Sequence, residues 1–208
     1  MDRVEKRTAL WGWLLIAAEI YKQIRLTAAY GSYVWWHFPW QLCSLPMYLA
    51  AALPFMKNTD RKDTVFAFLA GFGLLGGIAV FFDQSGLHYA QPELTVISYL
   101  WHISMVFFGL YAYRGIRGNK NTGFCKACIL YFCCCIVAVI LNLVFARFGE
   151  IDLFYINPLT AMSQIVFREL VPLIGNPLTI LLYILSTVLG AAALFYLNGK
   201  LQDKIHDD

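Results

Sequence analysis

Continuous apolar runs, separated by short polar segments, follow one another along the chain. Each run is roughly 17 to 24 residues long, the length that a helix needs to cross a hydrocarbon core of ~30 Å. The six runs lie at about residues 9–30, 39–56, 64–82, 94–113, 124–146 and 177–197. A β-barrel would instead show alternating segments of about ten residues. The pattern predicts an all-α, polytopic membrane bundle of six transmembrane helices that forms a single domain over residues 1–208.

One segment departs from this pattern between the fifth and sixth runs, at residues 147–176. It contains the stretch PLTAMSQIVFRELVPLIG, which is too polar for a simple transmembrane span. We therefore expect a re-entrant or interfacial helix there.

The composition supports a membrane protein. Of the 208 residues, 60% are hydrophobic and only 14% are charged, whereas soluble domains contain about 25% charged residues. The basic residues are spread over several short loops, which argues against a nucleic-acid partner. We predict no cofactor.

Lysine and arginine are distributed unevenly between alternate loops. They collect before the first run, after the second and fourth runs, and after the sixth, whereas the other loops hold only Arg147 and Arg168. Basic loops stay on the cytoplasmic side of a membrane. Both termini are therefore predicted to be cytoplasmic, in a protein of the cell membrane.

Most polar residues within the predicted spans fall in the outer half of the bilayer. Such residues are costly in hydrocarbon and usually face a bundle interior or a wet cavity. We therefore predict a polar cavity lined by spans one, two, four and five. Its predicted binding residues are Glu19, Lys22, Gln41, Ser44 and Asn142. An alternative for Glu19, Lys22 and Arg25 is an internal ion pair that stabilises the bundle, since residues three apart are neighbours on a helix.

Cys43 and His102 form the candidate catalytic pair. Both lie in the outer half of spans that start on the same side, and His102 is roughly 12 Å deep at ~1.5 Å per residue. A thiol becomes a nucleophile when a nearby base takes its proton, and imidazole is a common base at neutral pH. The alternatives are a small packing residue at Cys43 and a hydrogen-bonded structural histidine at His102.

Two further groups of residues have simpler interpretations. His37, His88 and His102 do not have a known metal-ligand spacing, so no metal site is predicted. The cysteines of the fifth run, Cys125 to Cys135, include one C-x-x-C but no second one. Cytosolic thiols stay reduced, and we interpret these residues as packing residues of a helix.

The stretch FPWQLCSLPMYL resembles the L-P-x-H-L-C-x-L motif of the YwaF-like bacterial integral membrane proteins. GFGLLGGIAVFFDQ, ISYLWHISMVFFGLYAY, ILNLVFARFGEIDLFYINP and the final apolar run match the same family in order, over about residues 39–197. Gln41 replaces the family's usual histidine, and Asp83-Gln84 replaces a common Thr-Pro. The resemblance implies a bacterial cytoplasmic membrane protein.

That family is distantly similar to eukaryotic transmembrane acyltransferases and to androgen-regulated transmembrane hydrolases. The similarity implies that Cys43 is the acyl-accepting nucleophile and His102 its base. We add Gln41, Ser44 or Asn142 as candidate oxyanion donors.

The first functional hypothesis is therefore an intramembrane acyl-transfer or lipid-hydrolysing enzyme, with membrane lipids or an acyl-lipid as substrate. The alternative is a small-molecule-binding membrane protein, such as the substrate-capture subunit of a transporter. A structural or assembly factor without a ligand is a third possibility. The sequence leaves protein partners undetermined.

Overall fold

The computed structural model describes residues 2–207, and it describes the side chains of all of them except residues 85 and 205–207. These residues form helices and turns, with no β-strand among them. The α-helices are α1 (Arg3–Tyr30), α2 (Leu45–Ala52), α3 (Thr59–Phe68), α4 (Leu74–Ala79), α5 (Pro92–Ala112), α6 (Lys120–Phe145), α7 (Val171–Ile174) and α8 (Asn176–Asp207). A π-helical turn, Leu69–Gly73, joins α3 and α4 into one continuous helix.

Four helical segments of the described chain are long and apolar enough to cross a membrane: Thr59–Ala79, Pro92–Gly115, Lys120–Phe145 and Asn176–Lys204. The fold is thus that of a multi-pass helical membrane protein. The first predicted span corresponds to α1, a 28-residue helix that contains charged residues. The second corresponds to the shorter apolar helix Leu45–Phe55. Membrane crossing by these two segments, and the cytoplasmic location of the termini, stay predictions.

The second apolar run is helical only in its latter part. Residues 38–44 form turns, in which the backbone N–H groups of Ser44 and Leu45 donate to the Gln41 carbonyl at 2.8 and 3.2 Å. Pro39 has no N–H to donate, and Pro46 suits the first turn of a helix, where its missing N–H is not needed. The helix therefore begins at Leu45 instead of residue 39, and Cys43 lies in the irregular segment before it.

Residues 147–176 do not form a single re-entrant or interfacial helix. They contain two 3₁₀ turns, Leu153–Tyr155 and Arg168–Leu170, and the four-residue helix α7. Gly175 ends α7 with a φ of 80°, and side chains bind much of the intervening backbone. These local hydrogen bonds compete with helix formation.

Stacked aromatic rings form the centre of the bundle. Phe72 stacks on Tyr131 with ring centroids 4.6 Å apart, and Phe124 stacks on Phe195 at 4.8 Å. Phe72 and Phe124 lie 6.0 Å apart with nearly parallel rings. This column of rings joins the α3–α4 helix to α6 and α8.

The basic segments identified in the sequence meet at one end of the bundle. Asp2 pairs with Arg117, and Lys62 pairs with Glu5 at 2.6 Å. Arg114 donates to Gln202 of α8 at 2.7 Å. We call this the basic end. The loops at the opposite end surround a cavity.

Candidate functional site

A cavity of about 370 Å³ lies between α1, α4, α5, α8 and the irregular segments 36–44 and 154–167. Its volume falls within the range of small-molecule sites, about 300–1,000 Å³. Apolar residues such as Leu42, Leu75 and Ile97 form part of the wall. The remaining wall includes polar side chains, among them Glu19, Lys22, Gln41, Cys43, Ser44, Asp83, Ser98, His102, Tyr155 and Thr187.

Cys43 reaches this cavity because the chain is not helical around it. Its carbonyl oxygen accepts a hydrogen bond from the indole N–H of Trp101 at 3.1 Å, which fixes the segment against α5. Its thiol forms no disulfide. Ser44, the next residue, is buried and also lines the cavity.

His102 projects from α5 into the same cavity. Its Nδ1 lies 2.8 Å from the carbonyl oxygen of Ser98, one helical turn earlier. A carbonyl can only accept, so Nδ1 must be the protonated nitrogen. In the neutral ring, Nε2 then has a free lone pair, which is the state that a general base requires.

Two adjacent glycines of α4 bring the two segments close together. A Cβ placed on Gly76 would lie 3.9 Å from the Cα of Cys43. A Cβ on Gly77 would lie only 3.0 Å from Met105 Cβ and 3.1 Å from the carbonyl of His102. The Cys43 segment and the His102 helix therefore pack against the same glycine pair, and a side chain at Gly77 would separate α4 from α5.

The predicted charged residues form an ion pair in the cavity wall. Lys22 Nζ lies 2.7 Å from a Glu19 carboxylate oxygen, and Lys22 also lies over the Trp101 ring at 5.9 Å. Gln23 donates to Glu19 at 2.6 Å and to the His37 carbonyl at 2.7 Å. The ion-pair alternative and the cavity prediction are thus compatible. Arg25 instead pairs with Glu93 of α5, at 2.6 Å.

Gln41 lines the cavity, but its amide binds a neighbouring loop. Its Nε2 donates to the Asp152 carbonyl at 3.1 Å, and its Oε1 accepts from the Phe154 N–H at 2.7 Å. Asn142 is fully buried and is not part of the cavity wall. Its amide forms both a donor and an acceptor hydrogen bond with the backbone of Leu153.

Several lining residues were not predicted from the sequence. No residue of α6, the predicted fifth span, is part of the wall, whereas α4 and α8 both contribute. The contribution of α8 could have been predicted from its sequence. Polar groups lie within about one turn of each other in an otherwise apolar run, at Tyr183, Ser186 and Thr187. The place of Tyr155 in the cavity wall could not be predicted, because it depends on contacts with residues that are distant in sequence.

The remaining histidines and cysteines lie as follows. His37 lines the cavity, and its ring is 5.2 Å from that of Tyr89. His88 contacts Gln84 and Tyr99 outside the wall. In the described part of the chain, no three His, Cys, Asp or Glu residues are grouped as metal ligands. In α6, Cys125 and Cys133 are exposed, whereas Cys134 and Cys135 are buried.

The fold and cavity define a multi-pass helical membrane protein with a partly polar internal site. The family model of the TMEM164 family matches residues 1–198, and the chain belongs to that family. No curated protein and no solved structure matches the chain. The YwaF-like label and the distant acyltransferase relationship stay predictions.

Proposed function

We propose that the cavity is the active site of an intramembrane acyl-transfer or lipid-hydrolysing enzyme, with Cys43 as the nucleophile and His102 as its base. The main supporting observation is that both residues line one cavity and pack on the same glycine pair, while Nε2 of His102 is free to take a proton. The YwaF-like motif around Cys43 and its distant acyltransferase similarity agree with this assignment.

The proposed chemistry has two halves. Nε2 of His102 takes the thiol proton, and Sγ of Cys43 attacks the carbonyl carbon of an acyl ester. The carbon–sulfur bond forms, the ester carbon–oxygen bond breaks, and the leaving alcohol takes the proton from His102. An acceptor alcohol or water then attacks the thioester, with its own proton passing to His102, and the released thiolate recovers that proton.

An acyl-lipid substrate fits the composition of the wall. The apolar side chains suit an acyl chain, while the thiol, imidazole and Glu19–Lys22 pair suit the polar ester region.

Acylation of Cys43 is the direct test. The full chain, with its other five cysteines replaced by alanine and held in nanodiscs of phosphatidylcholine, is incubated with p-nitrophenyl octanoate. We expect one acyl group on Cys43, sensitive to neutral hydroxylamine, as a thioester is. The Cys43→Ala variant should form none. A folded protein that is never acylated at Cys43 would contradict the proposal.

A second candidate is a small-molecule-binding membrane protein, such as a transporter substrate-capture subunit. The specific observation in its favour is the Glu19–Lys22 pair beside the Trp101 ring, which presents both charges and an aromatic face to a ligand without needing the thiol. Native mass spectrometry of the purified protein distinguishes the two. A small molecule retained equally by the wild type and by Cys43→Ala, without acylation, would favour binding.

A further inference from the structure

A left-handed backbone turn lies beside the proposed catalytic pair. Phe154 has a φ of 60° and Tyr155 a φ of 58°. Glycine adopts this conformation readily, but residues with bulky side chains rarely do, because Cβ then approaches the following carbonyl. Two consecutive aromatic residues in this conformation indicate that the surrounding structure holds them there, and such strain is concentrated at functional sites.

The amides of Asn142, which is buried, and Gln41, which is half-buried, hold this turn in place. Asn142 accepts from the Leu153 N–H at 2.8 Å and donates to the Leu153 carbonyl at 3.1 Å. Gln41 accepts from the Phe154 N–H at 2.7 Å and donates to the Asp152 carbonyl at 3.1 Å. These amides are thus engaged with the turn, instead of being directed at a reacting carbonyl.

The turn places Tyr155 in the cavity wall together with Cys43 and His102. The Tyr155 ring packs edge-on against Tyr183, with centroids 6.3 Å apart. Tyr155 is half-buried, and its hydroxyl makes no hydrogen bond to any side chain or backbone group that the structure describes.

The hydroxyl is also suited to donate a hydrogen bond. The pKa of Tyr155 is raised to about 12, chiefly by burial and to a smaller extent by negative charge at Cys43, Asp83 and Asp152. The phenol therefore keeps its proton at neutral pH. Tyr155 and Cys43 line the same cavity, so the phenol O–H faces the space into which the thiol opens.

We infer that Tyr155 is the hydrogen-bond donor that stabilises the oxyanion formed when Cys43 attacks an acyl carbonyl, and that Gln41 and Asn142 are positioning residues for it. This inference rests on the proposed function. When the carbon–sulfur bond forms, the π electron pair of the carbonyl moves onto its oxygen, and the Tyr155 O–H hydrogen-bonds that oxygen without transferring its proton. This electron pair re-forms the carbonyl π bond when the ester carbon–oxygen bond breaks.

Two reagents separate this role from a structural one. Acylation by p-nitrophenyl octanoate passes through a tetrahedral oxyanion, whereas alkylation by iodoacetamide displaces iodide and forms none. Both rates are measured on Cys43 in the chain without its other cysteines. We expect Tyr155→Phe to lower the acylation rate by about 10²-fold, the usual effect of losing one oxyanion donor. Its alkylation rate should stay within about twofold of the parent protein.

Tyr99→Phe is the matched control, because it also removes one hydroxyl but lies outside the cavity wall. Both of its rates should equal those of the parent. The Gln41→Met variant should reproduce the selective loss of acylation, because it releases the turn from one side. The melting temperature of each variant reports on the fold.

Each other outcome has a definite meaning. If Tyr155→Phe acylates at the parent rate, the donor role is overturned while the proposed function stands. If both rates fall together, Tyr155 only supports the Cys43 segment, and the donor role is again overturned. If Cys43 is not acylated in the parent protein, the proposed function fails and this inference fails with it.

Discussion

The two ends of the bundle differ in the balance of their polar contacts. At the basic end, charged side chains are paired across segments: Glu5 with Lys62, Asp2 with Arg117, and Asp60 with Lys126. Asp63 accepts from the backbone N–H groups of Arg117 and Gly118. These contacts hold helix ends together.

At the cavity end, polar side chains bind irregular backbone and shape a concave surface. Gln41, Asn142 and Gln23 each bind a carbonyl of a distant segment. Nε2 of His102 and the hydroxyl of Tyr155 have no hydrogen-bond partner within the described part of the chain, and the Cys43 thiol forms no disulfide. Polar residues at the basic end thus join helix ends, whereas those at the cavity end hold the irregular segments that present Cys43, His102 and Tyr155 to the cavity.

The largest effect on stability is expected at the basic end. Lys62→Met removes the partner of Glu5, a buried carboxylate with only 2% of its surface exposed. Leaving such a charge unpaired costs about 3 kcal/mol. We expect a markedly lower melting temperature at pH 7.5, measured by intrinsic fluorescence in detergent.

The double variant Glu5→Gln with Lys62→Met is the control for that experiment, because it removes both charges and should recover much of the loss. Cys43 alkylation, measured below the melting temperature, should be unchanged in both variants. A Lys62→Met protein that is fully stable but has altered Cys43 reactivity would contradict the division between the two ends.

A smaller, pH-dependent effect is expected at Asp152, in the loop beyond α6. Burial raises the pKa of Asp152 to about 6, although the Asn157 N–H and the Ser163 hydroxyl donate to it and lower it in part. The native state therefore binds this proton more tightly than the unfolded state does. Protonated Asp152 therefore stabilises the native state fully below the unfolded-state pKa of about 4. This stabilisation is lost as the pH rises through the native-state pKa of about 6.

The Asp152→Asn variant tests this pH dependence of stability. It should be about 2 kcal/mol more stable than the parent at pH 7.5, and the difference should disappear near pH 4. Denaturation across pH measures it, with Asp203→Asn as a control at an exposed position of α8. A stability difference that is independent of pH would show that Asp152 does not titrate in this range.

The sequence allowed the apolar helices to be predicted, because their length and continuity depend on local composition. The helices α5 and α6 begin and end within a few residues of the predicted fourth and fifth spans. The helix α8 begins at the start of the predicted sixth span and continues beyond its end into polar residues. The start of α2 at Leu45 was not predicted. Hydropathy measures only how apolar a segment is, and it does not show that prolines and polar side chains favour turns over a helix at residues 38–44.

The candidate site was predictable in part for the same reason. Glu19, Lys22, Gln41, Cys43, Ser44 and His102 do line one cavity, as their common depth indicated. The places of Asn142 and Tyr155 were not predictable. Asn142 binds a loop eleven residues away, and the left-handed conformation of Tyr155 runs against its own preference.

The most direct test of the central claim is the alkylation of Cys43 by iodoacetamide at pH 6.5, with Cys43 as the only cysteine, in the parent protein, His102→Ala and His88→Ala. We predict that the His102→Ala protein reacts at least about tenfold more slowly than the parent. The His88→Ala protein, changed outside the cavity wall, should react at the parent rate. Equal rates in all three folded proteins would contradict a base-activated Cys43.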